Sequence, residues 1–270
     1  MVGPRRARPG RRHRVFAPLL TLLVGLGVPS PALASGTAIA RLCPGPPERA
    51  ILCAATTVVH VHAILSPTES ADGSGMVISS DASGTYILTA AHVVQGAVAR
   101  RTSVILDDGR AFHALGLAVA PGAGPARDVA VIRIAPLAIP SVALSDRRPA
   151  VGSAVLAAGY PGNAQGDVTG ADGVVQGARV DAGDGAGPIY LAHDAPIAPG
   201  DSGGPVYDRA SGRVIGMDVA IMDTRQDGAD AQLSLALPMT AIRSYIRALM
   251  VIVRPRRQHM HARLADASTS

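Results

Sequence analysis

Ala198-Pro199-Gly200-Asp201-Ser202-Gly203-Gly204-Pro205 places a serine two residues after one glycine and directly before two more. Gly200 lacks a Cβ, so the chain can turn sharply there and aim a backbone N–H outward. The N–H groups of Gly200 and Ser202 can then converge beside the Ser202 hydroxyl, where an oxyanion would form. Fixed donors at such a point are usually the largest single catalytic contribution. Gly203 and Gly204 leave room for a substrate backbone to lie close by. The same residue types also build plain turns, so the flanks decide the reading. Short apolar runs, Ile189 to Ala192 and Pro205 to Tyr207, lie on either side without strand–helix alternation. Gly200 to Gly204 fits Gly-x-Ser-x-Gly literally, but a nucleophile on a strand-to-helix elbow needs that alternation. A non-peptidase acyl hydrolase is therefore the weaker reading.

Working outward, the chain from Ala54 to about Leu237 is a succession of short strand-like segments. Thr56 to Leu65 alternates. Ser74 to Ser80, Thr85 to Thr89 and Thr102 to Leu106 are apolar runs bounded by turn residues. Asp107-Asp108-Gly109 is a hairpin signal leading into Ala111 to Val119, and Asp128 to Ile134 follows. After a linker-like stretch from Pro136 to Pro140 comes a second set. It comprises Ala154 to Ala158, Val174 to Val180, Ile189 to Ala192, Pro205 to Tyr207, Arg213 to Ala220 and Gln232 to Leu237. Only Met239 to Val253 has helical spacing, with Ile242, Ile246 and Leu249 on one face. The pattern predicts an all-β protein of two six-stranded antiparallel barrels, about 54–135 and about 141–237, with a C-terminal helix over 239–250.

A base and an orienter for Ser202 are both present. Tyr86-Ile87-Leu88-Thr89-Ala90-Ala91-His92-Val93-Val94 runs a strand of β-formers into a histidine, where a short helical turn is expected. A lone histidine after a strand is ordinarily structural; paired with the Ser202 loop it becomes the candidate general base. Asp128 heads the apolar run Asp128-Val129-Ala130-Val131-Ile132-Arg133-Ile134, where a buried carboxylate needs a partner and a histidine supplies one. The order His92, Asp128, Ser202 is that of the chymotrypsin-type arrangement. His60, His62, His113 and His193 have no such context and read as structural or surface residues.

These motifs resemble those of trypsin-like serine proteases, and the resemblance extends from the leader to the C-terminal helix. It is closest to the bacterial HtrA/Deg type, through Ser74-Gly75-Met76-Val77-Ile78-Ser79, Asp128-Val129-Ala130-Val131, Asp194-Ala195-Pro196-Ile197-Ala198-Pro199-Gly200 and Gly212-Arg213-Val214-Ile215-Gly216-Met217. It implies an endopeptidase with His92, Asp128 and Ser202 as triad, the amides of Gly200 and Ser202 as oxyanion hole, peptide or protein substrates and no cofactor. It also implies a primary specificity pocket with Pro196 at its base and Val219, Ala220 and Ile221 as its wall, suited to small aliphatic residues. Three features depart from the pattern. The residues after the protease are too few for the PDZ domain usual in HtrA proteins. Asp201 stands where those proteins usually carry Asn. No trypsin-type activation site offers an N-terminus to pair with Asp201, so another donor, an Arg among the candidates, is expected to hold it. A catalytically inactive, protease-like binding protein is the alternative, disfavoured because every motif residue is present.

The ends of the chain add the context. Six arginines precede an apolar run from Val15 to Val28, and Ala32-Leu33-Ala34 is a small-x-small cleavage signature, so residues 1–34 read as an export signal. The run contains Pro18 and is short for a bilayer span, so no lasting anchor is expected after cleavage. Arg11-Arg12 suggests a twin-arginine route, but the residues that follow fit it poorly. All 25 basic residues of the chain are arginines; without the six in the leader, 19 face 20 acidic residues. That balance removes most support for a nucleic-acid or polybasic-membrane role. Residues 251–270 form an arginine-bearing tail read as a solvated end. Cys43 and Cys53, in the extension 35–53, suggest one local disulfide in an exported chain. Asp223, Asp227 and Asp230 read as a solvated turn, since their spacing matches no calcium loop, and no metal site is expected. The whole then divides into a leader, the extension, a protease domain over 54–250 and the tail, destined for the cell envelope or beyond.

Overall fold

The computed structural model describes residues 54–122, 127–162, 166–180, 189–223 and 232–255. The leader, Cys43, Cys53, Asp227, Asp230 and the tail beyond Pro255 lie outside these residues. Thirteen strands and two helices position the site. They are β1 (Val58–Ser66), β2 (Glu69–Asp81), β3 (Gly84–Thr89), α1 (Ala91–Val94), β4 (Thr102–Ile105), β5 (Ala111–His113), β6 (Gly116–Val119) and β7 (Ala130–Ile134). The second half holds β8 (Ala154–Gly159), β9 (Thr169–Val180), β10 (Ile189–His193), β11 (Pro205–Asp208), β12 (Arg213–Asp223), β13 (Gln232–Pro238) and α2 (Met239–Val253).

The second set of strands closes as expected, into a six-stranded antiparallel barrel in the order β10-β13-β12-β11-β8-β9. The first set departs from expectation: it is an open seven-stranded sheet in the order β5-β4-β1-β2-β3-β7-β6 rather than a closed six-stranded barrel. The single run read from Ala111 to Val119 is two strands, and these form opposite edges. β5 pairs with β4 and β6 pairs with β7. Only Ala114 and Leu115 separate the two edges in the chain. The three Cα–Cα steps from His113 to Gly116 span at most about 11 Å, so the sheet must curl to bring its two edges towards each other. The result is a half-barrel with a seam that lacks a ladder.

Alternation explains why these strands face as they do. Along β1, Val59, Val61 and Ala63 are buried while His60 and His62 point outward and share the Asp72 carboxylate, at 2.8 and 2.9 Å. β3 is buried at every residue because its neighbours β2 and β7 cover both edges. Met76, Ile87, Leu88, Ile132 and Ile134 are among the fully buried side chains of the first unit. The two halves meet through polar as well as apolar contacts. Thr57 Oγ1 and Tyr207 OH are 2.9 Å apart, and Val142 N donates to Val77 O at 2.8 Å.

The helical face expected from Ile242, Ile246 and Leu249 is buried, joined by Met239 and Val253. α2 covers Met239–Val253, the whole segment with helical spacing, and Pro255 follows its end. Arg133 Nε donates to Val253 O at 2.6 Å, which satisfies one of the carbonyls that a helix end leaves open. That contact docks the helix terminus beside β7, the strand that follows Asp128.

Candidate active site

Asp128 lies just before β7, and His92 sits in α1, directly after β3. Because β3 and β7 are paired neighbours, with Thr89 opposite Ala130, the end of one and the start of the other lie side by side. Asp128 grips His92 twice. Its Oδ1 accepts from the His92 main-chain N at 2.8 Å, and its Oδ2 lies 2.6 Å from the ring Nδ1. Both oxygens are thus committed to one residue, and the imidazole is left with Nε2 facing away from the carboxylate. The Asp128 side chain is 18% exposed and that of His92 46%, so the pair is rooted in the protein at the carboxylate and reaches solvent at the ring.

Ser202 is carried on a loop pinned from both units. Within the loop, Asp201 N donates to Ala198 O at 3.0 Å and Gly204 N to Asp201 O at 2.8 Å. From the second barrel, Gly203 N donates to Asp218 O at 2.7 Å and Asp218 N to Gly204 O at 2.9 Å. From the first unit, Ser74 N donates to Ser202 O at 2.8 Å, and Ser74 Oγ donates to Gly200 O at 2.7 Å. Ser74 is fully buried and also accepts from Tyr160 N, at 2.8 Å, while Thr89 Oγ1 donates to its carbonyl at 2.7 Å.

Two glycines of the loop require their freedom. Gly200 has φ +106°, and a Cβ on it would press against Tyr160 O and Gly162 N. Gly203 has φ +91°, and a Cβ there would strike Ser74 O, Thr89 Oγ1 and Ala90 N. Ala90 lies two residues before His92, so the bare Gly203 lets the serine loop press directly against the root of the histidine helix. Gly73 serves the same approach: a Cβ on it would meet the side chain of Val93 and Ser202 O. In this way the fold sets the Ser202 loop against the root of the helix that carries His92, whose ring Asp128 holds; no hydrogen bond joins the Ser202 hydroxyl to His92 among the described residues.

The donor for Asp201 is a main-chain amide rather than an arginine: Ala198 N bonds Oδ2 at 2.8 Å. Asp201 is 7% exposed, and its Oδ1 abuts Gly159 with no hydrogen-bond partner among the described residues. Burial pushes its pKa up to about 6; the Ala198 amide opposes the rise and the nearby Asp218 carboxylate adds to it. An acid raised in the folded state holds its proton there longer than in the unfolded chain. The folded protein therefore loses stability as pH rises from about 4 through about 6. At about 1.4 kcal/mol per pH unit, the loss approaches about 3 kcal/mol above pH 6. Asp201→Asn keeps the shape and an acceptor for Ala198 while removing the charge. It is expected to raise the melting temperature at pH 8 and leave it unchanged at pH 4, as calorimetry at the two pH values would show. Equal shifts at both would refute the assignment.

The residues read as a specificity pocket are distributed unevenly. Pro196 is exposed, Val219 and Ala220 are half-buried and Ile221 is 37% exposed. Asp223 ends β12, and among the described residues no group of three His, Cys, Asp or Glu side chains is placed to hold a metal ion. His113 lies 3.3 Å from Ser103 at the surface, and His193 is buried. Sequence reading missed Ser74, Thr89 and Asp218. Asp218 did carry a signal, as the one acid inside the apolar run from Val214 to Met222.

Comparisons with known proteins bear on the family and the fold. A family described as trypsin-like peptidase domain matches residues 73–217, more than half of the chain. Comparison with curated protein sequences returns no match. Among solved structures, the serine endoprotease from Yersinia pestis superposes with a TM-score of 0.60 at 26% identity, over 77% of this chain and 68% of that one. AlgW, an HtrA-type protease solved with a tripeptide, superposes with a TM-score of 0.62 at 28% identity, over 76% of this chain and 64% of AlgW. The chain thus spans about two thirds of the length of these neighbours.

Proposed function

Because the chain belongs to the trypsin-like peptidase family, we propose that it is an exported serine endopeptidase working through His92, Asp128 and Ser202. The observation that carries the proposal is the double grip of Asp128 on His92 N and Nδ1. With Nδ1–H held by the carboxylate, the lone pair is on Nε2, the nitrogen that must take a proton from Ser202. Ser202 Oγ attacks the substrate carbonyl as His92 removes its proton, and the amides of Gly200 and Ser202 stabilise the oxyanion. The imidazolium then protonates the leaving amine. Water repeats the cycle on the acyl-enzyme, with His92 again as base. Asp128 stabilises the imidazolium throughout without becoming protonated.

Active-site labelling tests this reading. A fluorophosphonate is expected to label the mature protein at Ser202 and to leave Ser202→Ala unlabelled, with the fold intact by circular dichroism. The labelled species should begin at Ser35 if residues 1–34 are an export leader. Labelling that persists in the serine variant would mean a different nucleophile.

Pro196 carries no charge to hold an Arg or Lys side chain, and Ile221 narrows the wall. We assign the primary pocket to small aliphatic side chains such as Ala or Val on that basis. A methylene more or less is worth about 1–3 kcal/mol in such a pocket, so the selectivity is moderate. In a peptide library, Val or Ala before the cut is expected to outrank Arg in kcat/KM; the reverse ranking would overturn the assignment.

A further inference from the structure

Behind the nucleophile loop lies a buried histidine–carboxylate pair. His193 ends β10 and Asp218 lies within β12, with Nε2 and Oδ1 2.8 Å apart and the side chains 0% and 1% exposed. Such a pair is expensive to bury. Desolvating a carboxylate costs several kcal/mol even after relaxation, and well-packed apolar residues often do as well or better. Here the cost is not even fully offset, since Asp218 Oδ2 and His193 Nδ1 have no hydrogen-bond partner among the described residues. Burial also raises the Asp218 pKa, against the pull of His193. Stability alone does not account for the pair.

Its place in the barrel does. β12 and β13 slip register between Asp218 and Ala220, and β10 and β9 slip between Ala192 and His193. Asp218 borders a bulge of its own strand, with Val219 as the extra residue, and His193 lies opposite a bulge of β9, with Gln176 as the extra residue; such bulges re-aim strands beside active sites. The two strands are separated by β13, so the bond ties one irregularity to the other across an intervening strand. Asp218 is also the residue whose main chain holds the serine loop from behind. Its carbonyl takes Gly203 N at 2.7 Å, and its N–H reaches Gly204 O at 2.9 Å. A shift of the Asp218 backbone would pass directly to the peptide that follows Ser202.

We propose that His193 is a positioning residue for Ser202: its bond to the Asp218 carboxylate sets the bulge of β12 and so the two main-chain bonds that hold Gly203 and Gly204. The inference rests on Ser202 being the nucleophile. Misplacing a reacting atom by about 1 Å can cost about 10²-fold in rate, which sets the expected scale.

The test compares wild type, His193→Ala and His193→Gln in fluorophosphonate labelling rate and in peptide hydrolysis. In folded His193→Ala the labelling rate and kcat are expected to fall about 10- to 100-fold with KM within about twofold. His193→Gln, whose side-chain amide can place an N–H where Nε2 stands, is expected to recover most of the rate. A folded His193→Ala that labels as fast as wild type overturns the inference, and so does a His193→Gln as slow as His193→Ala. If His193→Ala does not fold, His193→Met, similar in length to Gln but without a donor, takes its place: fast Gln with slow Met supports the inference, and equal rates overturn it. Folded wild type that resists the probe overturns the nucleophile reading, and this inference with it.

Discussion

Asp128→Asn is expected to lower kcat by about four orders of magnitude while the protein stays folded. The reason lies in the two contacts that Asp128 makes. As a carboxylate it accepts at both oxygens, from the His92 main-chain N at 2.8 Å and from the ring Nδ1 at 2.6 Å. An asparagine has one acceptor and one NH₂ group. If the carbonyl oxygen serves the backbone N–H, the NH₂ faces Nδ1, and the ring must take the tautomer with its proton on Nε2. That ring cannot accept the Ser202 proton. If the amide is reversed, the NH₂ faces the His92 N–H and two donors collide. The first arrangement removes the base, the second carries the donor clash, and in neither does a carboxylate remain to stabilise the imidazolium. Steady-state kinetics on the purified variant measure the effect; a loss smaller than about tenfold would sink the assignment of Asp128.

Gly203→Ala is expected to be the most damaging single methyl addition in the described residues. It combines two penalties. At φ +91° a residue with a Cβ is strained by about 1–2 kcal/mol. The added carbon would also strike Ser74 O, with Thr89 Oγ1 at 2.5 Å and Ala90 N at 2.9 Å, two of the three being main-chain atoms that cannot step aside. Making room means parting the serine loop from the root of α1, which separates Ser202 from His92. We expect a loss of more than about 3 kcal/mol in folding stability, in the range reserved for overpacking and backbone strain together, and no detectable turnover. Gly96→Ala supplies the control. Gly96 has φ +87°, and a methyl group added there would meet nothing within 4 Å, so it carries the conformational penalty alone. Denaturant unfolding of both variants would separate the two penalties, and equal losses would refute the steric argument at Gly203.

The two variants test different kinds of information. The histidine, the aspartate and the serine loop are each legible as short motifs, because the chemistry needs particular residue types in a fixed local frame. Strand character is legible for the same reason: alternation in Val58 to Ala63 and unbroken apolarity in Tyr86 to Leu88 report how many faces are covered. The extent of α2 is legible from its spacing, whereas propensity does not reveal the Arg133 contact at its end. The splitting of Ala111 to Val119 into two edge strands escapes notice because nothing local marks where pairing changes sides.

From its sequence alone, this protein's two-unit all-β plan, its helix and its His–Asp–Ser order can be written down, since these depend on neighbours within a few residues. Tertiary structure alone decided that the first sheet curls without closing, that Ala198 rather than an arginine holds Asp201, and that Ser74 reaches across 126 positions to the carbonyl of Gly200. It also decided the meeting of His193 with Asp218, 25 positions apart on strands that are not neighbours. Contacts of that kind exist only once the sheets have curled, because curvature, not spacing along the chain, determines which distant side chains share one small, dry volume.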